Sequence, residues 1–275
     1  MSKRTLRSEI VRLKERVRLL ENIKVAKKIP EPTPKSLDFS KLKGLWSCER
    51  HEIPENVVCV TAGVDVGQNE IWLVVLGWDI GGMKFVLHSE KIEYKQNDKE
   101  FMFALRRAYK ISCLYQNKNN GKPKFYGGLI SYNESYVETT FNFCRQTAFY
   151  PSPIYFAPLK YALQDTFYRF HDMKPIGPEV KGLRIILANQ QYLQDMLQVS
   201  FHTFEEHRNS IWFAYDAPKE LFEHLNNQRV FELKLGDKSV NRWGCVGRNP
   251  DNLRTALLNA MLMGRIKNLH GRGEV

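Results

Sequence analysis

Two apolar runs separated by a short polar turn constrain this chain more than any other feature. Residues 57–66 are rich in β-branched side chains, Gly67-Gln68-Asn69 is turn chemistry, and Glu70 to Gly77 is apolar again. That pattern predicts a β-hairpin. One charged residue, Asp65, stands inside the first strand. A buried carboxylate must be hydrogen-bonded, paired or metal-bound, because an isolated charge is costly away from water. Asp65 therefore needs a partner, or else it sits at the strand end and caps the turn.

The chain continues in a mixed pattern. Strands are expected at 57–67, 70–79 and 84–94 as a meander, then an amphipathic helix at 98–116, strand 125–132, helix 135–148 and strand 153–159. Further elements are expected at 183–188, 192–200, 211–216, 218–228 and 250–268. Strands followed by alternating helix and strand read as a mixed α/β sheet. With 275 residues and 43% hydrophobic content, the chain can bury one substantial core plus an appendage.

The appendage is N-terminal. Residues 1–28 carry ten Lys or Arg against three Glu, a net +7 that leaves about +4 of the total +11 for the rest. Leu6, Ile10, Leu13, Val17 and Leu20 repeat at 4-3-4-3 spacing, an a/d seam. A basic amphipathic helix of this kind can self-associate, lie on DNA or dock on an acidic partner. Residues 29–45 open with alternating Pro30, Pro32 and Pro34 and read as a stiff linker. The main domain is expected over 46–270.

Several classes are excluded or disfavoured. The sequence contains no Gly-x-x-x-x-Gly-Lys-Ser/Thr phosphate loop, so no motor ATPase of that kind is expected. Five cysteines without a Cys-x-x-Cys pair argue against structural zinc and against a disulfide framework. No apolar run approaches the roughly 20 residues of a membrane helix, and a soluble, intracellular protein is expected. The aromatic residues read mainly as core. A pI near 9.4 suits a polyanionic partner, DNA above all, held through salt-sensitive phosphate contacts.

From Glu49 onward, "ERHEIPENVVCVTAGVDVGQNEIWLVVLGWD" resembles the opening of the nuclease domain of the lambda-type terminase large subunit, the phage motor that packages and cuts DNA. "LISYNESYVETTFNFCR" (129–145), "PIYFAPLKY", "SIWFAYDAPKELFEHLNNQRV" and "RWGCVGRNPDNLRTALLNAMLMG" are similar to later blocks of that family, in the same order. The resemblance covers roughly 45–268. It implies an RNase H-like fold, a mixed sheet flanked by helices, with carboxylates gathering Mg²⁺ or Mn²⁺ for two-metal cleavage of double-stranded DNA. It also implies a viral protein in the host cytoplasm, working with a separate packaging ATPase, a portal or another terminase component.

The departures from the family pattern are specific. Its second aspartate aligns with Ser131, its third with Leu253, and an expected lysine with Gln194. Only Asp65 is in register. Glu134 and Asp251 are the nearby carboxylates that could join Asp65 on a metal, and Lys160 is the candidate for offsetting transition-state charge. Their ordinary alternatives are first-turn helix stabilisation for Glu134, helix capping for Asp251, and a backbone-phosphate contact or solvated lysine for Lys160. Three functions stay open: a metal-dependent endonuclease, a degenerate relative that binds DNA or a packaging complex without cutting, and an actin-like phosphotransfer domain built on the Gly-x-Asp-x-Gly turn.

Overall fold

The β-branched runs form the strands they predict, and the order in which they pair sets the architecture. The structure, a computed structural model, describes residues 43–46, 52–116, 123–131, 133–148, 150–156, 168–172, 184–202, 210–214, 216–235, 238–245 and 251–267. The predicted helix at 1–28, the linker up to residue 42 and Lys160 lie outside the described residues.

Strands β2 (Cys59–Val66), β3 (Glu70–Trp78) and β4 (Lys84–Glu93) form the antiparallel meander. Helix α1 (Asp98–Leu114) then crosses to β5 (Lys124–Ile130), which pairs parallel with β2. Helix α2 (Val137–Thr147) leads to β6 (Ile154–Phe156), parallel to β5. Two more strands, β7 (Tyr168–Asp172) and β8 (Arg184–Ala188), extend that side, β8 pairing with β6 and β7 antiparallel to β8. After helix α3 (Gln190–His202), strand β9 (Ile211–Ala214) joins the far side parallel to β4. Lys43–Trp46, which straddles the end of the stretch expected as linker, is β1 and pairs parallel with β9. The resulting order is β1-β9-β4-β3-β2-β5-β6-β8-β7.

Helix α4 (Lys219–Asn226) is followed by a separate antiparallel hairpin, β10 (Gln228–Leu235) and β11 (Lys238–Cys245), which is absent from the elements expected on sequence grounds. The last element is helix α5 (Asn252–Ile266).

Strand alternation sorts the core into two layers. Ile71, Leu73 and Val75 on β3 pack with Val60, Ala62 and Val64 on β2 against α1 and α2. There Phe101 stacks on Tyr136 with ring centroids 4.4 Å apart. Trp72, Val74, Leu76 and Trp78 face the other way, onto α5 and the buried residues of α3 and α4. Both sheet faces are therefore covered, which explains why β2 and β3 are nearly continuous apolar runs.

Helix α1 begins where Asn97, in extended backbone, accepts the Glu100 N–H on its side-chain oxygen at 2.9 Å. Losing that cap should cost about 1 kcal/mol, so Asn97→Ala should lower the urea midpoint at unchanged slope. An unchanged midpoint would mean that the cap contributes nothing. At β5, Gly127 has φ +109° and Pro153 O lies 2.1 Å from where a Cβ would stand, so only glycine fits.

Helix α5 packs closely on β2. Three successive inward positions of β2 meet three successive turns of the helix running the other way. Thr61 Oγ1 donates to Ala260 O at 2.8 Å, Gly63 lies against Ala256 O, and Asp65 accepts from Asn252. The spacing follows from geometry: four helical residues rise about 6.0 Å and two strand residues about 6.7 Å. Trp78 Nε1 donates to Thr61 Oγ1 at 2.9 Å, and Asn259 Nδ2 donates to Val64 O at 2.9 Å, which fixes this register further.

Candidate functional site

This register places Asp65 at the carboxyl end of the central strand, beside the end of parallel β5, the usual position for ligand sites in open α/β sheets. Its carboxylate is partly buried and receives donors from two other elements. Ser131, just past β5, donates its hydroxyl to Oδ1, and Asn252, in the first turn of α5, donates Nδ2 to Oδ2 at 2.8 Å. Ser131 Oγ also accepts the Val66 N–H at 3.1 Å.

Burial pushes the Asp65 carboxyl up to about 6, the hydrogen bonds from Ser131 and Asn252 pull it partly back, and the charge of Asp251 adds to the rise. The site thus holds a carboxylate whose charge is costly, met by neutral donors.

The surrounding residues are already engaged. Asn133 donates Nδ2 to Val66 O at 3.1 Å and Gly67 O at 2.9 Å, while its Oδ1 accepts the Ser135 N–H at 2.9 Å. Asp251 precedes α5, but its side chain makes no capping bond to that helix. Its Oδ2 accepts from Gln228 Nε2, and it lies beside the Cys245 thiol. Burial, reinforced by Asp251, pushes that thiol up to about 12, so Cys245 is a protonated, unreactive group.

The start of α5 is capped instead by His224 of α4, whose Nδ1 accepts the Leu253 N–H at 3.1 Å. Burial holds the His224 imidazole below its usual range, consistent with a neutral acceptor nitrogen.

Of the residues singled out from the sequence, Asp65, Ser131, Asp251, Leu253 and Gln194 have described side chains, whereas Lys160 lies outside the described residues. Asp65 is central. Ser131 touches it, as the alignment expects, but with a hydroxyl. Leu253 is 2% exposed in the core, and its neighbour Asn252 is the residue that reaches Asp65. Asp251 influences Asp65 through its charge. Glu134 opens the short 3-10 turn Glu134–Tyr136 after β5, and its side chain is outside the described part of the structure. Gln194 is buried and accepts from Arg254 Nε at 2.6 Å, holding a helix junction.

Asn252 and Gln228 are site residues that sequence reasoning does not find. Asn252 lacks any signal of its own, since an amide beside a carboxylate at a helix start reads as capping. Gln228 belongs to the unexpected hairpin. That hairpin is anchored at Trp243, whose backbone N–H donates to Gln191 Oε1 at 2.6 Å and whose Nε1 donates to Asp195 Oδ1 at 2.7 Å.

Among the described side chains the donor set does not fit a pair of divalent cations. Hard cations need several oxygen acceptors, whereas Asp65 faces N–H and O–H groups. Among the described residues no group of three His, Cys, Asp or Glu side chains stands close enough to hold a metal ion.

A three-strand antiparallel meander continued by parallel strands, with a carboxylate on its central strand under a C-terminal helix, defines an RNase H-like mixed α/β domain. The family model described as terminase large subunit gpA, endonuclease domain, matches residues 21–123, the segment that contains Asp65. The chain thus resembles the terminase nuclease domain, and the matched segment contains the first of the sequence blocks.

The large terminase nuclease of thermophilic phage G20c shares 13% identity at a TM-score of 0.42, over 82% of this chain and 96% of that one. A magnesium-bound structure of that nuclease shares 12% at 0.42. The large terminase of a second thermophilic bacteriophage shares 11% at 0.41, over 80% of this chain and 42% of that one. No curated protein matches the chain. Among the described residues no helix is long and apolar enough to cross a membrane.

Proposed function

We propose that this chain is a nuclease-type module of a phage DNA-packaging terminase that engages double-stranded DNA through its phosphates, without a two-metal cutting centre. The observation that carries this reading is the pairing of Asp65 with Ser131 and Asn252, two neutral donors where cation ligands would be required. The family match supports the packaging context. The net charge of +11 supports a polyanionic partner. The module acts in the host cytoplasm, and its partners are a packaging ATPase, a portal or another terminase component. The basic segment 1–28 is a further surface for DNA or for self-association.

A second reading is Mg²⁺- or Mn²⁺-dependent endonuclease activity, with Asp65, Glu134 and Asp251 as ligands and Lys160 near the scissile phosphate. One observation favours it: Asp251 lies near enough to Asp65 for its charge to be felt, and two neighbouring carboxylates attract a cation.

Supercoiled plasmid incubated with Mn²⁺ at low salt separates the two. The expected result is retardation on a gel, weakening steeply as salt rises, with no nicking above that of Asp65→Ala. Nicking that disappears in Asp65→Ala would establish the endonuclease instead. Absence of retardation at low salt would overturn DNA engagement altogether.

A further inference from the structure

We propose that the Asp65 carboxylate is a structural tie that joins β2, the end of β5 and the first turn of α5, and that it replaces a cation site at this position. The inference rests on the nuclease-type reading of the domain and gives the residues that carry that reading a mechanical role in the fold.

Both carboxylate oxygens are engaged by different elements. Ser131 Oγ accepts the Val66 N–H at 3.1 Å, which directs its one hydroxyl hydrogen toward Asp65 Oδ1. Asn252 must turn its NH₂ toward Oδ2, because its own carbonyl oxygen there would oppose a carboxylate oxygen at 2.8 Å. A divalent cation needs the reverse, oxygen lone pairs pointing inward from each neighbour. Two other nearby acceptor oxygens already take hydrogen bonds, Asn133 Oδ1 from the Ser135 N–H and Asp251 Oδ2 from Gln228.

The tie also has a mechanical place. It closes the open end of the α5–β2 ladder, beyond the Thr61–Ala260 bond and the Gly63–Ala256 contact. Helix α5 is buried along nearly its whole length, so this contact sets how its first turn meets the sheet.

The test compares thermal melts in EDTA and in millimolar Mn²⁺ for wild type, Asp65→Asn, and the double variant Ser131→Asp with Asn252→Asp. The tie predicts that the wild-type midpoint is the same in both buffers. It predicts that the double variant, which surrounds Asp65 with carboxylates, melts lower in EDTA and recovers by several degrees with Mn²⁺, since a ligand that binds only the folded state stabilises it.

A wild-type midpoint that rises with Mn²⁺, the rise being lost in Asp65→Asn, would overturn the proposal. Isothermal titration of Mn²⁺ into wild type decides the same question if the double variant does not fold: no saturable heat supports the tie, and binding lost in Asp65→Asn refutes it. Gel retardation in EDTA runs in parallel. Its failure would sink the DNA reading while leaving the tie intact.

Discussion

Between about pH 4 and pH 6 the wild-type protein should lose stability relative to Asp65→Asn, by up to about 3 kcal/mol in total. The sign follows from the direction of the shift. Burial raises the folded carboxyl from 3.8 to about 6, so the folded state holds the proton more tightly than the unfolded chain does. Protonation therefore favours folding. The penalty for ionisation is absent below the ordinary carboxylate value, grows through the window between 3.8 and about 6, and stays constant above it. Other carboxylates titrate in the same range, so the measurement is the difference in unfolding free energy between wild type and Asp65→Asn, by urea melts at pH 4 and pH 7. A difference that does not change with pH would mean that Asp65 ionises as it does in water, and the account of its buried environment would fail.

The second large effect concerns Gly63→Ala, which should leave little folded protein or cost more than about 4 kcal/mol, the range reserved for severe core disruption. A Cβ at Gly63 would stand 1.9 Å from Ala256 O, 2.5 Å from Ala260 N and 2.8 Å from Asn259 Cβ. All three belong to α5, and two are backbone atoms that cannot rotate away. The helix would have to lift off β2, opening the contacts at Thr61 and Asp65 together. Gly81→Ala is the control, since its nearest neighbour is an Asp79 carboxylate oxygen at 3.5 Å in an exposed turn. Circular dichroism and thermal melts of the two variants check this. Equal stability for both would show that α5 does not ride on Gly63 as closely as described.

Much of the fold is legible because local pattern and tertiary environment agree. The β2–β3 hairpin, β4, α1, β5, α2 and the last helix fall within a few residues of their expected limits. Each is a long apolar or amphipathic run bounded by turn residues, for which periodicity is a strong signal. Other strands are not legible. Lys43–Trp46 is only four residues long, and Tyr168–Asp172 carries Arg169, His171 and Asp172 among its five residues. The β10–β11 hairpin has a usable signal in the alternation of Phe231-Glu232-Leu233-Lys234-Leu235 before Gly236-Asp237, overshadowed by the helix just upstream.

For the site, Asp65 stands out because a charge within an apolar strand is conspicuous, and Ser131 because a contiguous block fixes its position. The third position falls on Leu253 in sequence rather than on Asn252. One residue on a helix is a turn of about 100°, enough to exchange a core contact for a site contact, and no one-dimensional pattern reports that angle.

The amino-acid sequence by itself therefore determined the long strands and helices of the main sheet, the order of the meander and the following α/β units, and the need of Asp65 for a partner. These follow from local periodicity and from the cost of burying a charge. Only the tertiary structure decided who that partner is. The match between helix rise and strand rise sets α5 on β2 with Asn252 over Asp65, and the parallel pairing of β5 brings in Ser131 from 66 residues away. Such contacts depend on how two rigid elements dock, a property carried by their packed surfaces and not by either segment alone.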